Sequence, residues 1–287
     1  MSGVTSHANA RGRPRVALAL GGGSSRGLAH AVVLEAFDEL GIKPSIIAGT
    51  SMGAVCGACY AAGMSAAEMR AAFRDCFASR ASFLRLAAGK LRGSISTLWT
   101  LRSPAIVDNV TLFEMLLPEV LHSDFSYLKI PFVAVAADFY ALEQVLIERG
   151  PIIPALAASC ALPSVARPVV LGDRVLIDGG YINPLPFDVV ADRGDITVAV
   201  DVTGDTQRRP GVRVPGPLEA VTGATQLLFH SITREKLKHT TPDILIRPKV
   251  GNFAAFDYFR IAEIFAAAES AKEDLKRQLS QVFDART

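Results

Sequence analysis

Residues 15–20 form a short apolar run that stops at three consecutive glycines, Gly21, Gly22 and Gly23. Such a run reads as a buried parallel strand. A helical pattern follows over 27–40, and Gly41 is a natural stop for it. A second short strand at 45–48 leads through Gly49-Thr50-Ser51-Met52-Gly53 into a helix of small residues ending at Gly63. Strand, Gly-rich turn, helix, strand, tight turn, helix is a βαβα opening. It argues for an α/β fold with a parallel sheet.

The alternation continues to the end of the chain. Strands are expected at 130–137, 143–148, 168–171, 174–177, 196–202 and 244–247. Helices are expected at 65–77, 111–117, 151–159, 186–191, 218–238 and 258–283. The piece 203–217 is rich in Gly, Pro and Arg, but strand-like sequence resumes after it, so it reads as a surface loop. One domain over 15–287 is therefore expected, behind a disordered lead-in at 1–14 that is polar and lacks the apolar stretch of a signal peptide. With 287 residues, 50% of them hydrophobic, the chain can bury a sizeable core. A net charge of +2 gives no electrostatic case for nucleic acid. Every apolar stretch is broken well before about 18 residues, so no membrane span is expected and the default location is the cytoplasm.

Gly49-x-Ser51-x-Gly53 follows a strand and opens a helix, the context in which this pattern marks a nucleophile. A serine on a sharp strand-to-helix turn sits in strained backbone, and the flanking glycines let neighbouring elements pass close. The positive end of the helix dipole favours a developing alkoxide. The alternative is a serine that only caps the helix. The earlier turn, Gly21 to Gly27, also has two readings: phosphate binding at a helix N-terminus, or an oxyanion hole of backbone N–H groups. Dinucleotide spacing is not met, because Arg26 falls at the third glycine position when counting starts at Gly21. No acidic residue ends the second strand to hold a ribose, and no Gly-Lys-Ser or Gly-Lys-Thr is present.

A serine nucleophile needs a base. The histidines are His7, His30, His122, His230 and His239, and none sits in a turn at the end of a late strand. His30 is near the Gly-rich turn in sequence only. The chain offers instead the apolar strand 174–177 running into Asp178-Gly179-Gly180. A partly desolvated carboxylate there has its basicity raised toward the task. Taken alone, Asp-Gly is more often a simple turn.

These three segments, in this order, resemble the patatin-like phospholipases. Arg26-Gly27-Leu28-Ala29-His30, Ala158-Ser159-Cys160-Ala161-Leu162-Pro163 and Asn183-Pro184-Leu185-Pro186 resemble the neighbouring blocks of that family. The likeness runs over about 15–202, is weakest over 80–125, and is strongest to short bacterial members. It implies a three-layer α/β/α fold with a mostly parallel central sheet. It also implies a Ser-Asp dyad of Ser51 and Asp178, with an oxyanion hole from Gly22, Gly23 and Ser24. Gly21, Arg26, Gly27, Gly49, Met52, Gly53, Gly179 and Gly180 are its expected supporting residues. A lipid or acyl ester is the implied substrate, and neither metal nor cofactor is required. Ser24 stands where the family usually has glycine. Its Cβ either narrows the turn or changes which N–H points inward, implying reduced or selective activity.

Two further features of the chain bear on function. Cys56-x-x-Cys59 has the spacing of half a redox or zinc motif, but lacks a second pair and a nearby histidine, so both read as buried thiols. Over 80–102, Arg80, Arg85, Lys90, Arg92 and Arg102 interleave with apolar residues and the sole tryptophan, Trp99, with no acidic residue. That suits a transient membrane-surface contact or a cap over the site; the plainer reading is an amphipathic helix pair. The rival functions are a nucleotide-binding α/β protein and a patatin-like regulatory protein with a decayed site.

Overall fold

The computed structural model describes residues 14–79, 108–163, 165–204 and 214–286. The 80–102 stretch and nearly all of the N-terminal lead-in lie outside them. The described strands are β1 Val16–Leu20, β2 Ile46–Thr50, β3 Phe132–Asp138, β4 Gln144–Ile147, β5 Val169–Leu171, β6 Arg174–Asp178, β7 Ile196–Val200 and β8 Ile244–Ile246. They form one sheet in the order β5-β6-β3-β2-β1-β7-β8, with β4 also paired to β3. The described helices are α1 Ala29–Glu39, α2 Met52–Ala61, α3 Ala66–Phe77, α4 Asn109–Leu116, α5 Ile152–Ser159, α6 Phe187–Val190, α7 Pro217–His239 and α8 Ile261–Arg286.

Alternation along the central strands builds two layers of core. Leu18 and Leu20 of β1 and Val198 and Val200 of β7 face a cluster completed by α1, α2 and α8, including Phe37, Ile264 and Leu275. The intervening small residues Ala17, Ala19, Ala48 and Ala199 face the other side, under Leu185, Phe187 and Val190. Strands buried on both faces need no polar face, which is why β1, β2 and β7 read as continuous apolar runs. Helix α3 begins on a capping box, with Ser65 and Glu68 satisfying each other's backbone N–H groups. Among the described residues no helix is long and apolar enough to cross a membrane.

The expected parallel sheet is present in β3, β2, β1, β7 and β8. β4 and β6 run antiparallel to β3, a direction that residue type alone does not encode. The registers on β3 have a consequence for function. β2 pairs with residues up to Val135, β6 with residues from Ala136, and β4 overlaps both. A strand has only two edges, so β4 occupies one and β2 and β6 share the other, end to end. The carboxyl ends of two opposed strands, Thr50 and Asp178, therefore meet beside the Val135–Ala136 peptide. The turn after β6 must cross that peptide closely: a Cβ on Gly179 would lie 2.2 Å from the Val135 carbonyl oxygen. We expect Gly179→Ala to lower unfolding free energy by roughly 2–3 kcal/mol, read from urea denaturation, because backbone cannot yield as a side chain can.

Candidate active site

Ser51 closes β2 and precedes α2 with φ 54° and ψ −126°, a conformation that costs a non-glycine residue about 1–3 kcal/mol. Two packing contacts hold it there. A Cβ on Gly53 would lie 2.2 Å from the Leu20 carbonyl oxygen, and one on Gly49 would lie 2.5 Å from Ala54 Cα. The elbow is thus wedged between β1 and its own helix. Two hydrogen bonds complete the restraint. Ser159 Oγ accepts the Ser51 N–H at 3.0 Å while donating to the Val135 carbonyl at 2.6 Å. Thr50 Oγ1 donates to the Asn183 carbonyl at 2.8 Å.

The Ser51 side chain makes no capping bond to its helix. Its hydroxyl donates to Asp178 Oδ2 at 2.8 Å, across 127 residues of sequence. The other carboxylate oxygen accepts the Gly180 N–H at 2.8 Å. Ser51 is 8% exposed and Asp178 2%. Desolvation pushes the Asp178 pKa from its ordinary 3.8 up to about 6, against the opposing pull of the Gly180 and Ser51 hydrogen bonds. A carboxyl group with that value remains ionised at neutral pH and is a better proton acceptor than an exposed aspartate.

His30 does not compete for this role. It is fully buried in α1, its Nε2 lies 2.8 Å from the Gly21 carbonyl, and burial lowers its pKa to about 4. The neutral ring donates Nε2–H to that carbonyl and so props the Gly-rich turn. The Cys160 thiol, beside Ser51 and Asp178, is pushed well above its ordinary range by desolvation and by the Asp178 charge. It stays a thiol and is a poor nucleophile. Cys56 and Cys59 are buried, with both thiols raised by desolvation, as small apolar residues of α2.

The Gly-rich turn faces the elbow, with the Cβ position of Gly22 3.3 Å from Ser51 Cβ. Its amides are not equivalent. Gly21 N–H donates to the Val200 carbonyl and Gly22 N–H to the Pro184 carbonyl, at 3.0 and 2.9 Å. Gly22 was expected as an oxyanion donor, but its N–H is already used to dock the turn on the 183–186 segment. The N–H groups of Gly23 and Ser24 have no partner among the described residues. Ser24 has φ 50°, the left-handed region that favours glycine. The serine thus keeps the backbone path a glycine would take. Arg26 is buried, and its Nη1 reaches the Phe253 carbonyl at 3.4 Å. Burial lowers its pKa to about 10. Gly27 lies against the Met52 side chain, and Gly180 against the Phe229 ring.

Ser159, Asn183 and His30 are the structural partners that motif reading did not assign. Ser159 and Asn183 lie in the sequence blocks 158–163 and 183–186, but nothing local tells which backbone group each will meet.

Comparison with known proteins shows the family and the fold. The Patatin-like phospholipase family model matches residues 18–191. An uncharacterized NTE family protein of Mycobacterium tuberculosis is 40% identical over 194 residues, covering 67% of this chain and 50% of that protein. Patatin-like phospholipase domain-containing protein 6 of Mus musculus is 30% identical over 190 residues, covering 65% of this chain and 13% of that protein. The chain spans about half the length of the mycobacterial relatives that are 40% identical to it, and 30% of the length of those that are 31% identical. In structure it resembles VipD from Legionella pneumophila, with a TM-score of 0.52 at 15% identity, over 95% of this chain and 67% of that one. That likeness is one of fold.

Two stability measurements check the site's energetics. Ser24→Gly removes a Cβ from a left-handed position, so it should raise unfolding free energy by roughly 0.5–1 kcal/mol in denaturant titration. Asp178 has a folded pKa above its unfolded value, so its contribution is favourable at low pH and is lost as pH rises from about 4 through about 6. At neutral pH the penalty is on the order of 2–3 kcal/mol. Asp178→Asn should be more stable than wild type at pH 7 by up to that amount, and the difference should shrink at low pH.

Proposed function

This chain belongs to the patatin-like phospholipase family, and from that premise we propose that it is a serine lipid acyl hydrolase working by a Ser51–Asp178 dyad. The observation that carries the reading is the 2.8 Å hydrogen bond from Ser51 Oγ to Asp178 Oδ2 in a buried site. With His30 neutral and committed to Gly21, and the neighbouring Cys160 held as a thiol, the Asp178 carboxylate is, among the described residues, the group placed to take the Ser51 proton.

In the proposed mechanism Ser51 Oγ attacks the ester carbonyl carbon as its proton passes to Asp178. The tetrahedral oxyanion is held by the Gly23 and Ser24 N–H groups and by the start of α2, where the Met52 N–H follows the nucleophile. Gly22 serves by giving the substrate close access and by anchoring the turn. Collapse of the intermediate returns the proton from Asp178 to the leaving alcohol or lysolipid. Water then attacks the acyl-enzyme with Asp178 as base. No step requires a metal or an organic cofactor.

The glycine-like conformation of Ser24 supports an open oxyanion turn and weighs against a decayed, purely regulatory site. The turn's approach to Ser51 weighs against a dinucleotide cradle. A substrate at a membrane surface is part of the proposal, and an assay panel from short nitrophenyl esters to lysolipids and intact phospholipids reads out which ester is cleaved.

A fluorophosphonate probe should label wild type and fail to label Ser51→Ala. Unlabelled wild type would refute the nucleophile assignment. For a short nitrophenyl ester, kcat/KM should fall about tenfold per pH unit below about 6, as Asp178 takes up its proton. A profile whose acid limb tracks no group near that value would remove Asp178 as the base.

A further inference from the structure

Beyond the hydrolase site, a cavity of about 550 Å³ opens at the carboxyl ends of β7 and β8. Its volume is that of a small-molecule site, but its lining is polar. Arg234, Arg247 and Lys249 contribute cations, with Thr203, Thr233 and the His230 imidazole between them. Among the described residues one carboxylate, Asp201, shares the wall. It is already engaged, accepting from the Thr203 N–H at 3.0 Å, the Thr203 hydroxyl at 2.6 Å and Arg247 Nε at 3.2 Å. Arg234 and Lys249 have no carboxylate partner among the described residues.

Thr233 adds an independent observation. It is 3% exposed, yet its Oγ1 has no hydrogen-bond partner among the described residues. A buried hydroxyl is normally paired, and a threonine inside a helix commonly bonds back to the preceding turn. Here the unused donor belongs to a residue that lines a cationic cavity, and it lies just beneath the cavity surface. Two cations and a hydroxyl without partners among the described residues match a tetrahedral dianion, which brings charge and several acceptor oxygens at once.

We propose that this cavity binds the phosphate group of a phosphomonoester or of free phosphate, at a site separate from Ser51. β2, β1, β7 and β8 are parallel neighbours, so the cavity and Ser51 share one rim of the sheet, about 10–15 Å apart at the usual strand spacing. That is too far for the phosphate next to an ester under attack. The cavity adjoins the oxyanion turn through Val202, which touches Gly23, and through the 253–255 segment, which holds Ser25 and Arg26. Phosphate carried on a lipid headgroup and phosphate on a soluble ligand present the same chemistry, and experiment separates them.

The test titrates the full chain with inorganic phosphate at constant ionic strength and follows thermal unfolding. Phosphate should raise the midpoint of wild type. Thr233→Val preserves shape and removes an unpaired hydroxyl, so its phosphate-free midpoint should match or exceed wild type. Its phosphate affinity, and those of Arg234→Glu and Lys249→Glu, should fall at least about tenfold. In a second arm, the protein is sedimented with vesicles of pure phosphatidylcholine and with vesicles doped with phosphatidate. Doping-dependent binding lost in Thr233→Val assigns a headgroup; phosphate binding without it assigns a soluble ligand. No response to phosphate and no doping-dependent binding overturns the proposal, as does an equal response in wild type and all three variants. Fluorophosphonate labelling of the same variants keeps this outcome distinct from that of the hydrolase reading.

Discussion

The end-to-end meeting of β2 and β6 on one edge of β3 is the constraint on which the candidate site depends. One strand rises to Thr50 and the other descends to Asp178, and both stop where the Val135–Ala136 peptide provides the next hydrogen bonds. Neither strand can extend past the other. Each must turn away, and each turn delivers one polar side chain, Ser51 or Asp178, to the gap. Ser159 fastens the arrangement by bonding the Val135 carbonyl and the Ser51 amide together. The 2.8 Å contact between hydroxyl and carboxylate follows from sheet register, which is much stiffer than side-chain conformation.

The site concentrates unfavourable features that a purely structural turn would avoid. Ser51 and Ser24 hold backbone conformations with positive φ, and Asp178 keeps a carboxyl group almost entirely out of water. Such strain persists only where the surroundings over-determine it. Here the surroundings are the doubly buried strands and the close glycine contacts at the elbow and at Gly179. Desolvation of Asp178 destabilises the fold at neutral pH and at the same time supplies its basicity. In the proposed mechanism, stability and reactivity are opposed through that one group.

Much of the fold was legible because its signals are local. Doubly buried strands announce themselves as apolar runs, and Gly41 and Gly63 mark helix ends with positive φ. Gly49-x-Ser51-x-Gly53 and Asp178-Gly179-Gly180 stood out because a close backbone approach leaves glycine as the fitting residue. The direction of β6 was not legible, since parallel and antiparallel partners ask for similar residues. Nor was the inequality of the turn amides. Gly22 and Gly23 are the same residue type, but Pro184 claims the amide of one of them. Ser24 looked like a departure from a glycine pattern, and its φ shows that the backbone path was kept.

By itself, the sequence determined the α/β alternation, the positions of the two turns and the candidacy of Ser51 and Asp178. These follow from side-chain size, polarity and backbone freedom, which each residue carries wherever it is placed. Only the tertiary structure decided that serine and aspartate touch, that His30 is a neutral prop for the Gly-rich turn, and that the turn amides without a partner among the described residues are those of Gly23 and Ser24. Those outcomes depend on which distant groups exclude water and which claim each hydrogen bond, and both are properties of the packed chain.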